Sequence, residues 1–118
     1  MSLRYLYGGV NTQNGGYFDD LYVLSIPGFV WFKANYTPTA ASRYTSSCST
    51  TGNSQMIIYG GLTTANALGL PKGNFTPDPW AQGVAVVDLP SMTFKTSYES
   101  KASAYDSPQV VKDWYQNV

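Results

Sequence analysis

Apolar and polar positions alternate with period two along most of the chain, which predicts short strands separated by glycine, proline and asparagine turns. The first stretch, 3–7, is rich in large strand-favouring residues and runs into Gly8-Gly9. A turn-rich connection at 8–17, with Asn14-Gly15-Gly16, leads to strands at 18–25 and 29–34 around a tight turn at Pro27-Gly28. A second series follows, with strands at 42–50, at 55–59 running into Gly60-Gly61, and at 83–89 and 92–98 around Pro90-Ser91. Within it, 63–82 carries Pro71, Pro77, Pro79 and two glycines, which argues for a long loop without regular structure. Beyond Tyr98 the alternation stops. Ser107-Pro108 reads as a helix start with serine as the cap, and Val110, Val111, Trp114 and Tyr115 share one face of a short helix at 108–115.

The two series are copies of one unit. Tyr7-Gly8-Gly9 is matched by Tyr59-Gly60-Gly61 at an offset of 52 residues, and 20–27 is matched by 83–90 at an offset of 63. Trp31 and Phe94 each follow six residues after Ser25 and Asp88. The eleven extra residues of the second copy fall in the 63–82 loop. A unit of about 50 residues holding several short strands is the signature of kelch-type propeller blades.

On these residues the sequence resembles the kelch-repeat family, over roughly 5–98. That family's pattern is a hydrophobic strand ending in Gly-Gly, an aromatic and an acidic residue on the next strand, and then a tryptophan. The first copy supplies Gly8, Gly9, Tyr22 and Trp31, with Ser25 in place of the acid; the second supplies Gly60, Gly61 and Asp88, with Ala85 for the tyrosine and Phe94 for the tryptophan. The string is also similar to the C-terminal blades of fungal secreted or membrane-anchored kelch-repeat proteins. The resemblance implies an all-β fold of two kelch-type propeller blades over 1–98. The first, at 1–34, is incomplete, since the 52-residue offset puts its inner strand before Met1; the second, at 42–98, carries the insertion. A tail at 99–118 ends in the short helix. Tyr7, Tyr22, Trp31, Tyr59 and Phe94 are expected at blade-packing positions, and the parent protein is expected to be secreted or displayed at the cell surface.

Composition narrows the function. The length, 118 residues, suits one small domain, and 43% hydrophobic residues suffice for a core. Only 12% are charged, against roughly 25% in ordinary domains. The 7 basic and 7 acidic side chains cancel and are scattered, leaving no stripe for a phosphate backbone or anionic lipid, so nucleic acid is not an expected partner. No apolar run approaches the roughly 18 residues of a membrane span, and Met1-Ser2-Leu3 leads into a strand without a signal-peptide pattern.

Chemistry is sparse. There is no histidine, the commonest general base and metal ligand. Asp19 and Asp20, adjacent on a strand, point to opposite faces. Ser46, Ser47 and Cys48 have no partner base, and Cys48, the only cysteine, is expected as a small buried residue of an inner strand. Neither glycine pair is followed by the lysine and hydroxyl residue of a phosphate loop. No catalytic residue, cofactor or metal site is therefore expected, and no enzymatic activity. Asn35-Tyr36-Thr37 and Asn74-Phe75-Thr76 are glycosylation patterns. Phe75, Asp78 and Trp80 stand in the insertion, where the blade pattern requires no aromatic, and form a candidate recognition loop.

Three readings follow: a scaffold or interaction module with a protein partner, a glycan-binding module using the loop aromatics, or the non-catalytic part of a galactose-oxidase-like enzyme. Two blades cannot close a ring of about four to eight, so open apolar faces and a free strand edge predict self-association.

Overall fold

The structure is a computed structural model that describes residues 2–11, 13, 16–35, 43–63 and 80–118. In chain order its strands are β1 (Ser2–Tyr7), β2 (Val10–Asn11), β3 (Gly16–Tyr17), β4 (Leu21–Ile26), β5 (Val30–Lys33), β6 (Arg43–Tyr44), β7 (Ser47–Thr50), β8 (Gln55–Tyr59), β9 (Leu62–Thr63), β10 (Val84–Asp88) and β11 (Thr93–Lys95), followed by helix α1 (Gln109–Gln116). They form a three-stranded antiparallel sheet, β1-β4-β5, and a four-stranded antiparallel sheet, β7-β8-β10-β11. Two small ribbons, β2-β3 and β6-β9, stand beside them. Among the described residues the fold is mostly β with one short α-helix, and the sheets do not close into a barrel.

The sequence repeat becomes a repeat of strand pairing. Tyr7 lies opposite Leu21 in one sheet and Tyr59 opposite Val84 in the other. Leu24 lies opposite Trp31, and Val87 opposite Phe94. The Gly8 N–H donates to the Asp20 carbonyl at 3.1 Å, and the Gly60 N–H donates to the Gly83 carbonyl at 3.4 Å. These glycines are needed for their backbone: Gly8 and Gly60 have φ of 74° and 72°, a region costly for a side chain with a Cβ.

Alternation along β4 buries Leu21, Val23 and Ser25 completely, and on the same face of β1 stand Leu3, Tyr5 and Tyr7. They meet Met56 and Ile58 of β8, Ala85 and Val87 of β10, and Phe94 of β11. Burying each large aliphatic side chain contributes about 1.5–3 kcal/mol. The two contributing faces are not equivalent. At the repeat offsets Leu21, Val23 and Ser25 correspond to Val84, Val86 and Asp88, which share the far face of the four-stranded sheet. The core residues Ile58, Ala85, Val87 and Phe94 correspond to Leu6, Tyr22, Leu24 and Trp31, on the far face of the three-stranded sheet. One sheet therefore packs its front on the other's back.

Helix α1 closes one end of this core. Val111 is fully buried in it. The Tyr115 hydroxyl accepts hydrogen bonds from Ser25 Oγ at 2.6 Å and from the Gly28 N–H at 3.0 Å. Gly28 lies so close to the Trp114 ring that an added Cβ would meet it at 2.8 Å. Two expectations are corrected here. Pro108, not Ser107, holds the cap position, without a side-chain cap bond; its carbonyl accepts the Val111 and Lys112 N–H groups, the first bonds of the helix ladder. Val110 is exposed, because the 100° step between neighbours lets the helix dock through Val111 and Tyr115.

Three strand expectations also change. The 42–50 strand is divided by Thr45, whose φ of 58° turns the chain, so that β6 pairs with β9 and only β7 joins the large sheet. The 18–25 strand begins at Leu21, and the 92–98 strand is shortened to β11. Most of the 63–82 insertion, at 64–79, lies outside the described residues.

Candidate interaction surface

The far face of the three-stranded sheet collects apolar side chains that no element of the described residues covers. Leu6 of β1 is 53% exposed and Trp31 of β5 is 52% exposed, with Tyr22 and Leu24 of β4 partly buried between them. The Trp31 and Tyr22 rings meet edge-on at 6.3 Å. Leu6, Tyr22 and the exposed Phe18 line an apolar groove of about 470 Å³ that reaches Gly8 and Gly9. Asp20 at its border pairs with Lys33 at 3.3 Å, an exposed bridge that contributes little to stability.

The four-stranded sheet has an open end of its own, where Tyr59 is 43% exposed and the paired Val84 is 40% exposed. The opposite end of that face is sealed by the chain after Tyr98. There buried Gln55 accepts the Glu99 N–H at 2.9 Å and donates to the Glu99 carbonyl at 2.7 Å.

These placements revise the list of blade-packing residues. Trp31, Tyr22 and Tyr59 stand on the open faces rather than in the core, because pairing register fixes which residues are neighbours while the direction of sheet packing fixes which face is covered. Phe94 does pack, with its ring 5.4 Å from Tyr7. Asp88 accepts hydrogen bonds from the Ser91 N–H and hydroxyl and so fastens the β10–β11 turn. Gly9 and Gly61 hold φ of 111° and 80° where the chain leaves β1 and β8.

Trp80, expected on a recognition loop, is partly buried against the core, 5.8 Å from Tyr7 and 6.2 Å from Phe94 between ring centres. Phe75, Asp78 and Asn74 lie outside the described residues, and Asn35 is exposed just past β5. Cys48 is also corrected, being exposed on β7, the edge strand; partial burial nonetheless raises its thiol pKa. Leu6, Phe18 and Val84 were not singled out from the sequence, although apolar residues at 5, 6 and 7 in succession signal a strand with two apolar faces.

Polar contacts among the described residues fasten parts of the fold. Tyr7 donates to Asp19 at the mouth of the core. Burial, with a hydrogen bond between the Tyr5 and Tyr105 hydroxyls at 2.9 Å, holds the Tyr5 phenol above its usual range. A hydrogen bond from Lys112 holds Asp106 below the usual carboxylate range. Among the described residues no group of three or more histidine, cysteine, aspartate or glutamate side chains could hold a metal ion, and no helix is long and apolar enough to cross a membrane.

No protein-family model matches the chain, and comparison with curated proteins and with solved structures gave no match.

Proposed function

We propose that this chain is a non-catalytic protein-interaction module made of two successive kelch-type propeller blades, with the open face of the three-stranded sheet receiving a protein partner. One observation carries the reading: two sheets of identical register meet front to back. Successive blades of a ring are related by a rotation that produces this contact, whereas a two-fold sandwich would bring equivalent faces together. The order β7-β8-β10-β11 also suits a four-stranded blade. Leu6, Phe18 and Trp31 supply the large exposed apolar area that marks interaction sites. With no histidine in the sequence, binding rather than acid–base catalysis is the activity this surface supports. An exposed Asn35 suits modification in a parent protein that is secreted or displayed at the cell surface.

A photo-reactive benzophenone side chain at position 6 tests the module reading, with the same group at exposed position 113 as control. Irradiation in the source cells or their medium should join position 6 to a protein, whether another copy or a different chain. Equal adducts at both positions, or none, would remove the interaction surface.

A further inference from the structure

The contact between the two sheets is available for a second use, because part of each of its halves recurs on the surface. The step that carries β1 onto β8 and β4 onto β10 carries core residues Tyr7 and Leu21 onto exposed Tyr59 and Val84, and Val23 onto Val86, which is itself buried. The same step carries Leu6, Leu24 and Trp31 onto core residues Ile58, Val87 and Phe94. The open end of the four-stranded sheet is thus the repeat of the Tyr7 and Leu21 end of one half of the internal interface, and the open face of the three-stranded sheet is the repeat of the other half.

We propose that copies of this chain associate head to tail, the Tyr59 and Val84 end of one copy seating on Leu6, Leu24 and Trp31 of the next. This deepens the module reading, on which it rests, by naming the partner as a second copy. Tyr59 takes against the next copy's Trp31 the place that Tyr7 takes against Phe94 within the chain, where the rings meet edge-on at 5.4 Å. The aromatic at each end is left for this contact, Tyr59 at 43% and Trp31 at 52% exposure.

Charge agrees with it. Formal net charge is zero, so no long-range repulsion holds copies apart. The interface joins two different surfaces, so it closes a ring or grows as a filament. With two sheets per copy and about four to eight blades in known rings, closure takes about two to four copies.

Light scattering of the purified chain at micromolar concentration should give a multiple of 12.9 kDa. Trp31→Glu and Tyr59→Glu each spoil one half of the interface and keep the other, so each variant alone should be monomeric. Mixed in equal amounts they should form a one-to-one pair, because one brings an intact Tyr59 end and the other an intact Trp31 face. Rescue by mixing is the signature of a head-to-tail contact. Circular dichroism checks that each variant is folded, and Leu6→Glu replaces Trp31→Glu if that variant is not. A wild-type monomer, assembly that survives both substitutions, or a mixture that stays monomeric would overturn the proposal. A monomer that still forms the position-6 adduct with a different protein would remove self-association and leave the module reading standing; loss of the adduct as well would remove both.

Discussion

Trp31 and Phe94 occupy the same place in strand pairing and opposite places in energy. Phe94, opposite fully buried Val87, packs on Tyr7 and Trp80, while Trp31, opposite Leu24, keeps half its surface in water. Phe94→Ala should therefore cost about 3 kcal/mol, the low end for truncating a buried aromatic. Trp31→Ala should cost about 1 kcal/mol, roughly the value of its edge contact with Tyr22. Urea denaturation of both in a Tyr59→Glu background, where association makes no contribution, measures the difference. Equal costs would mean that the covered face has been assigned to the wrong side of the sheet. The equivalence of these residues was legible in the sequence because spacing encodes register. Their burial was not, since Tyr5, Leu6 and Tyr7 make both faces of β1 apolar and give neither a preference.

At the scale of elements, the helix shows what local pattern conveys and what it misses. Its position follows from the apolar spacing, and the rings of Trp114 and Tyr115 meet edge-on at 4.9 Å. The cap did not follow: Pro108 takes the cap position with no side-chain acceptor to offer, and its carbonyl only begins the helix ladder by accepting the Val111 and Lys112 N–H groups. Docking through Tyr115 depends on the β4–β5 turn, 87 residues away from it at Gly28, and no local pattern carries that pairing. An eight-residue helix is too short to persist alone in water, so the dock must hold it. Tyr115→Phe would leave the fully buried Ser25 hydroxyl and the Gly28 N–H without their acceptor. It should cost about 1–3 kcal/mol, the range for an unsatisfied buried polar group. Ser25→Ala added to it should recover part of that loss, because the second change removes the orphaned hydroxyl. Thermal melts of the single and double variants provide the comparison, and a single variant as stable as wild type would mean that the helix is held by Val111 alone.

For the molecule as a whole, the shape bears on stability. The radius of gyration is 15.5 Å, against about 13.5 Å for a compact domain of this length. The extents of 51 × 37 × 21 Å describe a broad plate. If the Trp31 and Tyr59 faces are completed by further copies, folding and association are linked, and the melting temperature must depend on protein concentration. Each tenfold increase in concentration adds about 1.4 kcal/mol per association step. Shared over a ring of two to four copies, that is about 0.7–1 kcal/mol for each chain. For a domain of this size it corresponds to a rise of about 3–6 °C per decade. Melts between about 1 and 100 μM should accordingly shift by several degrees in the wild type. They should not shift in Trp31→Glu or Tyr59→Glu, whose lower melting temperature should match that of the dilute wild type. A wild-type melting temperature independent of concentration would mean that the plate is stable on its own and that its open apolar faces serve some partner other than itself.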